Sequence, residues 1–133
     1  MRRVFADTSW FIALVAADDT LHSAAKELAA QPMRLVTTSS IITELAAYLR
    51  SGPNRELFAS VLATVQNSPL VEFVRDDERL FDSGAVLYTQ RADKEWSLVD
   101  CISFVVMREQ QLTEALTSDH HFEQAGFRAL LIS

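Results

Sequence analysis

Apolar and polar residues follow two different periods along this chain. Short apolar runs at 3–6, 34–37, 70–74, 114–117 and 127–132 are typical of buried strands. Between these runs, apolar residues recur every three or four positions, which places them on one face of a helix. Five short strands, each separated by helical segments, predict a parallel sheet that is covered by helices on both faces.

Polar clusters mark where several of the helices begin, because hydroxyl and carboxylate side chains cap the first helical turn. The predicted caps are Thr8 or Ser9, Ser39 or Ser40, Asp76 or Asp77, and Ser97. The clearest interruption is the SGPN segment at 51–54. No internal repeat, low-complexity segment or linker divides the chain, so residues 1–133 are predicted to form a single domain.

Composition excludes some classes of protein. Eighteen acidic and twelve basic side chains give a net charge of -6, which argues against broad electrostatic attraction to nucleic acid but leaves room for a local basic rim. No stretch approaches the roughly 20 apolar residues of a membrane span, and Asp7 comes too early for a signal peptide. The single Cys101 cannot form an internal disulfide, so a reducing, cytoplasmic location is expected.

Two aspartates stand at the ends of predicted strands. Asp7 follows the first strand and Asp119 follows the fourth. In an open α/β sheet, ligands bind beyond the carboxyl ends of the strands, so both side chains are candidates for a functional site. The alternative for each is a structural role, as the cap of the following helix.

Two further carboxylates lie inside apolar helical segments. Asp100 interrupts LVDCISFVVM, and Glu44 borders the apolar face of SSIITELAAYL. A buried carboxylate costs several kcal/mol unless a cation or hydrogen-bond donors offset it. Asp100 is therefore a functional residue, a satisfied aspartate in the first turn of its helix, or the partner of Arg91 or Lys94 in a salt bridge.

The four carboxylates together predict a metal site. Clustered carboxylates repel one another unless a cation lies between them, and a set of oxygen ligands favours Mg²⁺ or Mn²⁺ and leaves positions for a substrate phosphate. The adjacent His120 and His121 suggest zinc instead. However, neighbouring helical residues point about 100° apart, and His22 and Cys101 are the only other nitrogen or sulfur candidates. Asp119 is therefore preferred over the histidines as a ligand.

Four segments carry a family resemblance. In order, VFADTSWFIAL, SSIITELAAYL, DKEWSLVDCISFVVMRE and LTSDHHFEQAGFRALL resemble the four blocks of the PIN-domain nucleases, and more closely those of the VapC-type toxins of bacterial toxin-antitoxin pairs. The blocks span almost the whole chain. By this resemblance Asp7, Glu44, Asp100 and Asp119 match the family's metal-binding acids. Thr8, Ser9 and Ser118 match polar residues that order a carboxylate or a water.

The resemblance implies a PIN-like three-layer α/β/α sandwich with a central five-stranded parallel sheet in the order 3-2-1-4-5. It also implies a homodimer, a VapB-like antitoxin as partner, and Mg²⁺- or Mn²⁺-dependent endonucleolytic cleavage of RNA. The same block commonly carries a His-Phe pair at His121-Phe122, which favours a packing or capping role for His121. Arg91 and Lys94, which precede the Asp100 helix, are the candidates for a basic rim that contacts the RNA substrate.

Two other classes remain possible from the residues alone. A receiver-like domain also combines alternating strands and helices with an acidic Mg²⁺ pocket, although it requires paired acids after the first strand and a lysine where His120 stands. A catalytically silent PIN-like module could use the same acids to bind arginines of a partner protein.

Overall fold

The structure, a computed structural model, describes residues 1–132. Five strands alternate with seven helices. The strands are β1 (Arg2–Ala6), β2 (Met33–Thr38), β3 (Val71–Val74), β4 (Glu114–Leu116) and β5 (Arg128–Ala129). The helices are α1 (Thr8–Val15), α2 (His22–Ala29), α3 (Ser39–Tyr48), α4 (Asn54–Asn67), α5 (Glu78–Gln90), α6 (Leu98–Glu109) and α7 (His120–Gln124).

The strands form one parallel sheet in the order β3-β2-β1-β4-β5, as predicted. The central strand β1 pairs with β2 and β4, and Phe5 lies level with both Val36 and Ala115. Its last three residues, Val4, Phe5 and Ala6, are all fully buried. Because successive strand residues point to opposite faces, this burial shows that both faces of the sheet are covered.

The core is mostly apolar, with aromatic rings packed between α6, α7 and β1. Phe104 contacts Phe122 and Trp96 edge to face, each at 5.0 Å between ring centroids. Trp10 and Phe11 are also buried, so the tryptophans pack in the interior and are not part of an exposed binding surface. None of the helices in residues 1–132 is both long enough and apolar enough to cross a membrane.

Three local predictions need correction. The cap of α3 is Thr38, whose hydroxyl accepts from the Ile41 amide. The helix therefore begins at Ser39, and the predicted cap at Ser39 or Ser40 is wrong. At α1 the flanking residue is Asp7, without a side-chain capping bond, and Thr8 is already helical. Strand β5 has two residues and not the predicted run 127–132, because an apolar run does not distinguish a strand from a buried loop.

Candidate active site

The carboxyl ends of β1 and β4 lie side by side, and the residues that follow them open onto one cavity of about 440 Å³. All four predicted acids line it. Its lining residues are Asp7, Thr8, Ser9, Ile12, Glu44, Tyr48, Glu95, Ser97, Asp100, Asp119 and His121. We call this cavity the acidic cleft. The fold therefore brings together carboxylates that lie up to 112 positions apart in the sequence.

Asp7 is the most deeply placed of the four acids, with 5% of its surface exposed. Its Oδ2 accepts hydrogen bonds from the Ser9 hydroxyl at 3.0 Å and from the Thr117 hydroxyl at 2.7 Å. Burial raises the pKa of Asp7 to about 6, and the nearby charge of Asp100 adds to this increase, while the hydroxyl donors oppose it. The alternative role of Asp7 as a helix cap is not supported, because its side chain makes no capping bond to α1.

Asp100 combines a structural contact with a place in the acidic cleft. Its Oδ2 accepts from the Ser97 amide at 3.0 Å, and the Ser97 hydroxyl accepts from the Asp100 amide at 3.0 Å, which forms a capping box at the start of α6. The predicted alternative of a helix-start aspartate is therefore correct for its hydrogen bonding. The salt-bridge alternative is wrong for Arg91, which pairs with Asp93 at 2.9 Å.

The surroundings of Asp100 disfavour its charge. It is 8% exposed, and both burial and the charge of Asp119 raise its pKa above the ordinary value, although the Ser97 amide and His121 oppose the increase. A carboxylate that is held in place and costly to ionise is the kind of group whose charge a bound cation would stabilise.

Asp119 also caps a helix, since its Oδ1 accepts from the His121 amide at 2.9 Å. Its side chain is partly exposed to the cleft. Glu44 reaches the cleft from α3 and is exposed. The four acids thus come from four separate segments: Asp7 and Asp119 lie directly before α1 and α7, whereas Asp100 lies in the first turn of α6 and Glu44 lies within α3.

Hydroxyl groups connect Asp7 with the segment after β4. Ser9 accepts from the Ser118 amide at 3.1 Å, and Thr117 accepts from the Asp119 amide at 3.0 Å. Ser9 thus bonds both the Asp7 carboxylate and the Ser118 amide, whereas Ser118 takes part through its backbone, and the ordering role implied for both stays a prediction. Sequence reasoning did not identify Thr117 as a site residue, because it assigned Thr117 to the apolar strand segment 114–117. The signal that could have found it is its position two residues before Asp119.

Comparison with known proteins identifies the family of this chain. The model of the PIN domain family matches residues 4–128. The chain is 32% identical over 126 residues to the 23S rRNA-specific endonuclease VapC20 of Mycobacterium tuberculosis, with 93% of this chain and 95% of that protein covered. This chain belongs to the PIN domain family. The family resemblance predicted from the four sequence blocks is confirmed.

Solved structures show the same PIN fold. The crystal structure of M. tuberculosis VapC20, described as a Sarcin-Ricin loop cleaving toxin, superposes with a TM-score of 0.84 at 28% identity and covers 93% of this chain and 95% of that one. FitAcB from Neisseria gonorrhoeae superposes with a TM-score of 0.65 at 15% identity, covering 95% of this chain and 94% of that one, which shows a shared fold alone. The predicted fold class is confirmed.

The predicted basic rim of this PIN domain lies outside the acidic cleft. Arg91 and Lys94 line a second cavity of about 560 Å³, together with Tyr88, Thr89, Ala92, Glu95, Trp96 and Ser97. Arg91 is held by Asp93 and lies over the Trp96 ring, 5.0 Å from its centroid. We call this second cavity the basic groove. Because Glu95 and Ser97 line both cavities, the basic groove adjoins the acidic cleft.

The two histidines have different surroundings. His121 Nδ1 lies 3.1 Å from Asp100 Oδ2 and 3.2 Å from Asp119 Oδ1, so its ring lies between two of the acids. His120 is exposed, and its Nδ1 is 3.8 Å from Asp119 Oδ1. Potential ligand atoms of Asp119, His120 and His121 lie within 4.8 Å of one another, a proximity that follows from their being consecutive residues. His121 contacts the acids more directly than the predicted packing or capping role implied.

The chemistry of the cleft fits a hard divalent cation. The four carboxylates offer oxygen ligands, and burial of Asp7 and Asp100 disfavours their charge unless a cation is bound. The Thr8 hydroxyl is buried and has no hydrogen-bond partner within residues 1–132, so a polar group beside Asp7 remains available to order a water. Glu95, a fifth acid that sequence reasoning missed, lines the same cleft but is exposed.

Proposed function

We propose that this PIN domain is an Mg²⁺- or Mn²⁺-dependent endoribonuclease that hydrolyses RNA phosphodiester bonds, and that it is the toxin of a VapBC-type toxin-antitoxin pair. The observation that carries the proposal is the convergence of Asp7, Glu44, Asp100 and Asp119 on one cleft at the carboxyl edge of the sheet. The homology to an endonuclease over 93% of the chain supports it.

The residues of the cleft have distinct roles in this proposal. Asp7, Asp100 and Asp119 would hold the cation, and Glu44 would hold it or orient the attacking water. When bound, the cation would lower the pKa of a coordinated water and neutralise charge that develops on the phosphoryl oxygens. Ser9 and Thr117 keep the Asp7 carboxylate in one orientation, because both hydroxyls donate to the same oxygen.

His121 has a positioning role in the same scheme. Its Nδ1 lies within 3.2 Å of oxygens from Asp100 and Asp119, and its own amide donates to Asp119. Donation from the ring to Asp100, together with donation from the amide to Asp119, would restrain carboxylates from two different segments, which is the effect expected of groups behind the ligands of a metal.

The partners are proposed on the same basis. A VapB-like antitoxin would cover the acidic cleft with a basic segment, for which the net charge of -6 is favourable. A homodimer and a cytoplasmic location follow from the family resemblance. Since the VapC20 relative is named as specific for 23S rRNA, ribosomal RNA is the first substrate to test.

The receiver-like alternative does not agree with the structure. Its sheet order is 2-1-3-4-5, whereas this sheet has the order 3-2-1-4-5. The catalytically silent binding module is the second candidate, because the same acids could accept arginines from a partner.

The variant Asp100→Asn distinguishes the nuclease proposal from the binding-module alternative. An asparagine oxygen can still accept from the Ser97 amide, so the cap of α6 is retained while a metal ligand loses its charge. Purified wild type and variant would be incubated with total RNA in Mg²⁺ or Mn²⁺, and the cleaved ends mapped. A nuclease loses cleavage in the variant and leaves 5′-phosphate and 3′-hydroxyl ends in the wild type. If wild type and variant yield the same fragments, or neither cleaves, the proposed activity is wrong.

A further inference from the structure

The chain has only two tyrosines, and both are exposed beside the proposed active site. Tyr48 lines the acidic cleft and is 58% exposed, and Tyr88 lines the adjoining basic groove and is 50% exposed. Neither hydroxyl is hydrogen-bonded to another group in residues 1–132. At least half of each residue is therefore exposed, whereas a buried tyrosine usually bonds its hydroxyl to a partner.

The backbone directs Tyr48 to the cleft. Tyr48 follows Glu44 by four residues on α3, so the two side chains lie on one face of the helix, one turn apart. A nucleotide whose phosphate lies near the acids would therefore find an aromatic ring one helical turn from Glu44.

Tyr88 lies in the basic groove, which adjoins the acidic cleft. It is close to the end of α5, and the turn that follows carries Arg91 and Lys94 into the same groove. Glu95 and Ser97 connect this groove to the acidic cleft. Lys94 forms none of the ion pairs found within residues 1–132, so its charge is available to a phosphate.

We propose that Tyr48 in the acidic cleft and Tyr88 in the basic groove are base-stacking residues for the RNA, and that Lys94 contacts a phosphate in the basic groove. This inference rests on the proposed function. Aromatic rings stack on single-stranded or looped bases, whereas bases inside an A-form duplex are covered by their neighbours. Stacking on these rings therefore requires bases that are not covered by their neighbours, as in the loop that the VapC20 relative is described as cleaving.

The test compares ring removal with hydroxyl removal. Tyr48→Ala and Tyr88→Ala remove the ring, while Tyr48→Phe and Tyr88→Phe keep it. Phe81→Ala is the matched control, because Phe81 is also on α5, is 52% exposed and lines neither cavity. Each change is made in the wild type for cleavage kinetics and in the Glu44→Gln background for binding, because Glu44 is exposed and Asp7, Asp100 and Asp119 then remain to hold the cation.

Binding is measured in Mg²⁺ by fluorescence anisotropy with a labelled RNA hairpin that has an unpaired loop, and with the same stem as a blunt duplex. Loss of one stacked base is expected to weaken hairpin binding by roughly 5- to 150-fold, since stacking contributes about 1–3 kcal/mol per base. KM should rise by a similar factor with kcat less affected. The phenylalanine variants and Phe81→Ala should stay within about twofold of their parents.

Several results would overturn the inference. The inference is wrong if the alanine variants bind the hairpin as tightly as their parent does. It is also wrong if the phenylalanine variants bind as weakly as the alanine variants, or if the hairpin and the duplex bind with equal affinity. A loss of binding together with a change of mass in sedimentation would also overturn it, because the tyrosines would then serve a subunit contact. If the alanine variants weaken hairpin binding but the wild type cleaves no RNA, the nuclease proposal fails while the stacking role stands.

Discussion

Replacing Asp7 with asparagine should remove a loss of stability that the metal-free wild type undergoes as the pH rises towards neutral. Burial raises the pKa of Asp7 from 3.8 to about 6, so the folded state holds an ionised carboxylate that it disfavours. A group whose pKa is raised on folding stabilises the fold at low pH, where it is protonated in both states. That contribution is lost as the pH rises from about 4 through about 6. Asparagine does not ionise and removes this dependence.

The magnitude follows from the two pKa values. The difference between 3.8 and about 6 corresponds to about 3 kcal/mol when the carboxyl is fully ionised. Between about pH 4 and about pH 7.5, the contribution changes by about 2.5 kcal/mol. The free energy of unfolding of Asp7→Asn minus that of the wild type should increase by this amount over the same range. Lost hydrogen bonds from Ser9 and Thr117 lower the variant's stability by a similar amount at both pH values, so they largely cancel.

Urea denaturation in EDTA at several pH values measures this difference. Asp82→Asn serves as the control, because Asp82 is an exposed aspartate on α5 and its replacement should leave the pH profile unchanged. Saturating Mg²⁺ should stabilise the wild type and have little effect on Asp7→Asn. A difference between wild type and variant that stays constant from pH 4 to pH 7.5 would refute the reasoning, since burial would then not control the ionisation of Asp7.

Three further outcomes are expected. Thr117→Val removes the 2.7 Å donor to Asp7, which should raise the pKa of Asp7 further and shift the acidic limb of the cleavage profile to higher pH; an unchanged profile would contradict this. Gly84→Ala would place a methyl group 2.5 Å from Ile102 Cγ1, so α5 and α6 must separate. The free energy of unfolding should fall by about 1–3 kcal/mol, and an unaltered urea midpoint would contradict this. RNA affinity in EDTA should be well below that in Mg²⁺ by filter binding, because uncompensated acidic-cleft carboxylates repel phosphate, and equal affinities would count against a metal-bridged complex.

The order of strands and helices was predictable from periodicity because each element buries a continuous apolar face. Val4 to Ala6 are apolar at every position, the pattern of a strand covered on both sides. Local capping was less predictable, since neighbouring Thr38, Ser39 and Ser40 offer similar hydroxyl groups and only the backbone conformation selects Thr38.

The candidate site was predictable where a residue is chemically out of place in its segment. Asp7 and Asp119, which follow strands, suggested a position at the carboxyl edge of the sheet, and Asp100 was conspicuous as a carboxylate inside an apolar helix. Tyr48 and Glu95 gave no such signal, because an exposed tyrosine or glutamate on a helix or loop is ordinary in sequence. Their role in the acidic cleft depends on which surface the fold places beside the acids.

The sequence by itself determined the α/β class and, through its ordered blocks, the family, and it singled out the four acidic residues as candidates for the site. These properties depend on local periodicity and on the identity of single residues. Only the tertiary structure decided that His121 lies between Asp100 and Asp119, that Thr117 donates to Asp7, and that the basic groove adjoins the acidic cleft. The physical reason is that these contacts join separate elements, and their distances follow from how helices pack on the sheet.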